Sequence, residues 1–280
     1  MYEYFVADVF TDTPLEGNQL AVFTDASGIA AALMQATARE LNLSETVFVL
    51  APEQGGDARI RIFTTLRELP FAGHPVLGTA LIVGERLGLN VVRLECGVGI
   101  VPVELERIGS GSGFGRMEQP IPAWEEYDRP DELLVALGVE SSTLPIELYA
   151  NGPRYVYVTL ASENAVAALR PDLNRLAELL GDIGVSCLAG SATRWKTRMF
   201  APGGGPAEDP ATGSAAGPLA VHLARHGLIG FGEEIEIRQG AEIQRPSTLY
   251  ARVDGSAARI ERVEVGGSAI VVARGEYRLE

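Results

Sequence analysis

One pattern recurs at half the length of the chain, and it limits what the chain can fold into. Gly73-His74-Pro75 opens an apolar helical run that ends in Arg86-Leu87-Gly88, and Gly213-Ser214-Ala215 opens another that ends in Arg225-His226-Gly227. The two openings are 140 residues apart and the two closing glycines 139 apart, in a chain of 280. Each run follows a loop that carries acids, Arg67-Glu68-Leu69-Pro70 in one case and Glu208-Asp209-Pro210 in the other. A basic residue near each end complements the helix dipole, and glycine supplies the left-handed stop. The matched spacing predicts two related lobes, each built on one central helix, with a divide near residue 120.

Between these runs the pattern is mostly that of strands. Alternation of period two occurs at Ala58-Ile60-Ile62, Val101-Val103-Leu105, Tyr155-Tyr157-Thr159, Ile235-Ile237 and Val263-Val265. Helical periodicity covers 31–41, 75–87, 131–137, 164–180 and 214–226. Short strands with scattered helices predict an α+β chain rather than regular βαβ winding. Glycine and proline cluster at 109–115 and 120–122, which marks turns or a linker there.

Charge narrows the function. Lys and Arg total 23 against 37 Asp and Glu, a net charge of −14. That balance leaves no basic surplus for a phosphate backbone or an anionic membrane. The longest apolar run, 76–83, falls far short of the ~20 residues that span a bilayer. Met1-Tyr2-Glu3-Tyr4 lacks the basic start of a signal peptide. The two cysteines, Cys96 and Cys187, suggest neither a metal knuckle nor a disulfide framework. A cytoplasmic, reduced protein is the expectation.

Several residues could carry chemistry. Phe71-Ala72-Gly73-His74 and Ala211-Thr212-Gly213-Ser214 are small, glycine-rich helix entries whose backbone N–H groups could grip a carboxylate without Lys or Arg. Glycines that only allow close helix packing account for the same residues equally well. Glu45, between Leu43 and Val47, is a candidate for a partly desolvated carboxyl whose pKa burial raises toward neutrality. An exposed acid at a strand start is the plainer alternative. His74 at a helix start is expected to be neutral. Asp209 suits either an N-terminal cap or an acceptor for a substrate hydroxyl or amine. His222 and His226 have ligand spacing, but no third ligand accompanies them in sequence, and a structural role is favoured. Gly203-Gly204-Gly205 reads as a loop and not a P-loop, since no Gly-Lys-Ser/Thr follows. The 109–115 run lacks a dinucleotide fingerprint, and the cysteines read as buried structural thiols.

Taken together, Leu15-Glu16-Gly17-Asn18, Asn42-Leu43-Ser44-Glu45, Glu68-Leu69-Pro70-Phe71-Ala72-Gly73-His74-Pro75 and Glu208-Asp209-Pro210-Ala211-Thr212-Gly213-Ser214-Ala215-Ala216-Gly217 resemble the PhzF-type isomerases. The likeness extends through Met117-Glu118-Gln119-Pro120-Ile121-Pro122-Ala123-Trp124 and over nearly the whole chain. It implies a diaminopimelate epimerase-like fold of two pseudo-symmetric lobes, each a barrel-like sheet around a central helix. The lobes would be 1–120, completed by about 264–280, and 121–263, with the active site in the cleft between them.

The resemblance also implies an activity: isomerisation of trans-2,3-dihydro-3-hydroxyanthranilate, an anionic cyclohexadiene amino acid, in phenazine biosynthesis, without cofactor or metal. A proton leaves C3 and returns at C1, and the enol becomes a ketone. Carried over by motif, Glu45 shuttles the proton, while His74 and Asp209 hold and polarise the substrate. Gly73, Gly213, Ser214 and Ser44 contact it, and the enzyme is a homodimer. One carboxyl that serves both carbons needs them on one face of the ring, unlike a racemase, which works from opposite faces. An amino-acid racemase or epimerase on this scaffold and a non-catalytic binder of aromatic acids are the alternatives. The absence of cysteine from the motifs argues against a two-thiol epimerase.

Overall fold

The computed structural model describes residues 1–109, 111–203 and 207–279. The chain forms two compact units. Unit 1 comprises Met1–Glu118 and Gly266–Glu280, and unit 2 comprises Gln119–Val265. Gly204 and Gly205 of the triglycine run, and Ser110 of the 109–115 run, lie outside the described residues.

Unit 1 contains β1 (Tyr2–Val9), β2 (Asn18–Phe23), α1 (Ala31–Leu41), β3 (Glu45–Leu50), β4 (Ala58–Phe63), β5 (Glu68–Leu69), α2 (Gly73–Leu87), β6 (Val91–Cys96), β7 (Gly99–Gly109) and β8 (Ser112–Gln119). Unit 2 contains β9 (Ala123–Glu126), α3 (Pro130–Leu137), β10 (Glu147–Ala150), β11 (Arg154–Thr159), α4 (Glu163–Ala167), α5 (Leu173–Leu180), β12 (Gly184–Ser191), β13 (Arg194–Phe200), α6 (Gly213–Arg225), β14 (Glu234–Gln239) and β15 (Ser247–Ser256). The last strand, β16 (Arg259–Tyr277), gives residues 259–265 to unit 2 and 266–277 to unit 1.

In unit 1 the strand order is β1-β2-β3-β4-β6-β7-β8-β16, and β16 pairs antiparallel with β1 from Tyr2↔Tyr277 to Val9↔Ala269, closing the sheet on itself. β2 with β3 and β4 with β6 are parallel, and parallel neighbours require a crossover. The crossovers are α1 and α2. Residues 73–84 of α2 are buried without exception, so this helix is apolar all round and lies inside the sheet. Unit 2 follows the same plan in the order β9-β10-β11-β12-β13-β14-β15-β16. Its parallel pairs are β11 with β12 and β13 with β14, and α6, buried from 213 to 224, is the crossover between the latter.

The two glycine-bounded runs are thus the two central helices. Gly88 and Gly227 close them at φ +67° and +73°. One expectation fails: the 164–180 pattern is two helices. Pro171 has no N–H to continue the ladder, and Asp172 restarts it by accepting from Arg175 N at 3.0 Å.

Among the described residues no helix is long and apolar enough to cross a membrane.

Candidate active site

In unit 1 the β1–β2 connection is held in left-handed backbone at Phe10, Leu15 and Gly17 (φ +65°, +71° and +68°). A Cβ on Gly17 would lie 2.4 Å from the Val9 carbonyl, so only glycine fits there. The buried Asp8 carboxylate accepts from Leu15 N at 2.7 Å and ties the turn down. This geometry delivers Asn18, fully buried, to the start of β2. Its Nδ2 lies 3.4 Å from Nδ1 of His74, the second residue of α2.

Glu45 opens β3 and pairs with Leu20 two residues past Asn18. Its side chain is 15% exposed, so it is the partly desolvated carboxyl and not the exposed acid. Glu45 Oε2 and His74 Nε2 are 3.1 Å apart. The two atoms are within reach of a shared proton, but their alignment is not that of a formed hydrogen bond. Catalytic contacts commonly tighten only around substrate. Burial pushes the His74 imidazole down to about 3, against a smaller upward pull from a hydrogen bond with the Gln19 main chain, so the ring is neutral. A neutral ring can donate to a Glu45 carboxylate or accept from a Glu45 carboxylic acid, depending on which nitrogen holds its hydrogen. Gly73 is buried at the first turn of α2, and half-buried Ser44 sits in the bend before Glu45.

In unit 2 Asp209 bridges to Met199 of β13 and is 6% exposed. Its Oδ2 accepts the Thr212 hydroxyl at 2.5 Å. Gly213 and Ser214 form the first turn of α6, both buried. The Tyr155 hydroxyl lies 2.7 Å from Ser214 Oγ. Pro218 lies inside α6 and leaves the Ser214 carbonyl, four residues earlier, without its helical donor. Asn151 supplies it, Nδ2 to Ser214 O at 2.9 Å. Gln119 and Tyr157 donate to the Gly213 and Ala215 carbonyls at 2.8 and 2.7 Å. The entry of α6 is therefore a rigid, polar-lined turn. Ser44, Glu45, Gly73 and His74 belong to unit 1, and Asp209, Gly213 and Ser214 to unit 2.

Sequence reasoning passed over Asn18, Thr212, Tyr155 and Asn151 as site residues. A glycine followed directly by an asparagine, and a proline inside a predicted helix, are the sequence signals for the first and the last.

The third partner that His222 and His226 lacked in sequence is Glu147. His222 Nδ1 and His226 Nε2 lie 3.0 and 3.1 Å from its Oε2, an arrangement that offers one ligand atom from each. The same oxygen also takes the Tyr149 hydroxyl at 2.8 Å and Arg225 Nη1 at 2.9 Å. Burial would raise the Glu147 carboxyl, but its four donors outweigh it and hold the group well below the usual carboxylate range. The guanidinium already neutralises the carboxylate, and the cluster reads as a charge clamp on the last turn of α6. Burial pushes the Cys187 thiol up to about 12 and also raises Cys96.

A family model described as phenazine biosynthesis-like protein matches residues 7–275. The chain belongs to that family. It is 52% identical over 279 residues, all of both chains, to the trans-2,3-dihydro-3-hydroxyanthranilate isomerase of Pseudomonas aeruginosa. It is 51% identical to the enzyme of the same name from Pseudomonas fluorescens, over 98% of this chain and 99% of the relative. A Bacillus anthracis phenazine biosynthesis protein of the PhzF family superposes with a TM-score of 0.87 at 24% identity, covering 99% of each chain. A hydroxyproline epimerase from Agrobacterium vitis superposes at 0.63 with 14% identity, covering 98% of this chain and 90% of the other. These two structures share the fold, which is α+β and diaminopimelate epimerase-like.

Proposed function

We propose that the chain is a trans-2,3-dihydro-3-hydroxyanthranilate isomerase that moves a proton from C3 to C1 with one carboxyl, Glu45. The observation that carries this reading is Glu45 itself: largely withdrawn from water, 3.1 Å from an imidazole that burial keeps neutral. The carboxylate accepts the proton from C3, the charge spreads through the diene toward the substrate carboxylate, and the same carboxyl returns the proton at C1. The enol left at C3 then becomes the ketone. Each helix entry, Gly73 at α2 and Gly213 with Ser214 at α6, offers within its own unit the dipoles that suit a substrate carboxylate, and these favour the transition state because negative charge grows there. Asp209 accepts from the substrate amine or hydroxyl, and Ser44 borders the shuttle. The raised cysteine thiols stay protonated near neutral pH, which argues against two-thiol chemistry. Family resemblance extends the reading to a cytoplasmic homodimer, which light scattering on the purified protein tests.

The decisive assay is incubation with the dihydro substrate in deuterated water, following ring labelling by NMR. Glu45→Gln is expected to bind 3-hydroxyanthranilate as the wild type does while turnover drops by orders of magnitude. Wild-type turnover in that variant would remove Glu45 from the shuttle.

A further inference from the structure

We infer that Gln239 is a positioning residue for Asp209, acting through the Thr212 hydroxyl to keep one carboxylate oxygen occupied and its carboxylate fixed on the turn before α6. The inference rests on the proposed role of Asp209, and its geometry lies wholly within unit 2.

Gln239 ends β14 with 3% of its surface exposed. Its amide spans both ends of the Asp209–Thr212 turn. Nε2 donates to the Asp209 carbonyl at 2.7 Å, and Oε1 accepts from Thr212 N at 3.3 Å. Those two main-chain partners settle which end of the amide is which, because a flipped amide would set carbonyl against carbonyl and N–H against N–H. Nε2 also reaches Thr212 Oγ1 at 3.0 Å. An amide nitrogen has hydrogens to give and no lone pair to offer, so Oγ1 is the acceptor in that contact. The single hydroxyl hydrogen of Thr212 is then directed to Asp209 Oδ2, where the separation is 2.5 Å. Donation runs one way, from Gln239 through Thr212 to the carboxylate.

A second observation supports the relay. Thr212 is the N-cap residue of α6, a position where threonine ordinarily accepts from the helix backbone, yet its side chain makes no capping bond. The hydroxyl is committed to Asp209 instead. The flanks of the turn are pinned as well: Asp209 N donates to Met199 O at 2.9 Å, and Arg198 grips Glu208 through Nε and Nη2 at 2.8 and 2.7 Å. On the neighbouring elements Lys196 of β13 pairs with Glu242 just after β14 at 2.7 Å. A hydroxyl donated to Oδ2 stabilises the ionised form, so Asp209 is presented as an acceptor and not as an acid.

The test reads the carboxyl directly and does not depend on turnover. Protein labelled with 13C at the aspartate side-chain carboxyl is titrated by NMR, the Asp209 signal being the one missing from Asp209→Asn. Thr212→Val is expected to raise the Asp209 midpoint by about one unit, and Gln239→Met by about half to one. Thr212→Ser leaves it unchanged. Because Gln239 acts through Thr212, Thr212→Val/Gln239→Met is expected to shift it no further than Thr212→Val alone. In the isomerase assay Thr212→Val and Gln239→Met raise KM by more than they lower kcat, and Thr212→Ser behaves as the wild type. The inference is overturned if Gln239→Met titrates as the wild type, or if its shift adds to that of Thr212→Val. Should Gln239→Met fail to fold, Thr212→Val against Thr212→Ser decides the point, since equal titration in those two also overturns it. A wild type inactive on the dihydro substrate would refute the proposed function and leave this titration intact.

Discussion

Proline at position 218 makes a measurable demand on Asn151. In α6 the carbonyl of Ser214 would ordinarily accept from the N–H of residue 218, which proline lacks, and Asn151 Nδ2 takes its place at 2.9 Å. Asn151 is 4% exposed, so Asn151→Ala leaves the carbonyl dry and unsatisfied, a loss of about 1–3 kcal/mol. The longer contact of Asn151 with Gln119 Oε1, 3.3 Å, adds a little. Removing Asn151 Oδ1, which is buried without a partner, returns some of it. The expected net cost is about 2 kcal/mol. In a Pro218→Ala background the restored N–H serves the Ser214 carbonyl, and Asn151→Ala should cost less than about 1 kcal/mol, a coupling of about 1 kcal/mol across the cycle. Urea unfolding followed by tryptophan fluorescence measures it cleanly, because both tryptophans, Trp124 and Trp195, lie in unit 2 with the helix. If Asn151→Ala costs the same in both backgrounds, the asparagine is not standing in for the missing helical donor, and the reasoning fails.

Other outcomes follow from the same geometry. His74 folds with its pKa near 3 against about 6.5 when unfolded, so between those values the unfolded chain binds more protons and stability falls as the pH is lowered from 6.5. The loss reaches at most about 5 kcal/mol near pH 3, and His74→Asn should flatten this part of the stability curve. Cys187, fully buried with its thiol pushed up to about 12, should resist alkylation at pH 8 in the folded protein and react on unfolding; rapid native labelling, located by mass spectrometry, would contradict its burial. On the inner helix of unit 1, a Cβ on Gly78 would meet Leu20 Cδ2 and Val9 Cγ2 at 2.7 and 2.8 Å. Gly78→Ala is therefore expected to destabilise by about 1–3 kcal/mol through overpacking, read from the chemical denaturation midpoint.

What a local pattern encodes was legible before any coordinates. The central helices, with their small glycine-rich entries and left-handed glycine ends, declare themselves because capping and periodicity involve residues within a turn or two of each other. The break between α4 and α5 was also written locally, in Pro171 and Asp172, but periodicity running through 164–180 masked it. Motif and resemblance single out Glu45, His74, Asp209 and Ser214, whose roles are proposed.

Composition, spacing and the half-length repeat determined the fold class and the residue types available for chemistry. Only the tertiary structure decided their surroundings. Glu147 lies 75 residues from His222, and Gln239 lies 27 from Thr212. Neither pair shares a helix face or a strand register that a sequence window could reveal. The neutrality of His74, the clamp on α6 and the direction of the Thr212 hydroxyl all depend on desolvation and on donors brought from distant strands. Burial and hydrogen-bond direction are properties of the assembled sheet around each helix, and no stretch of chain possesses them alone.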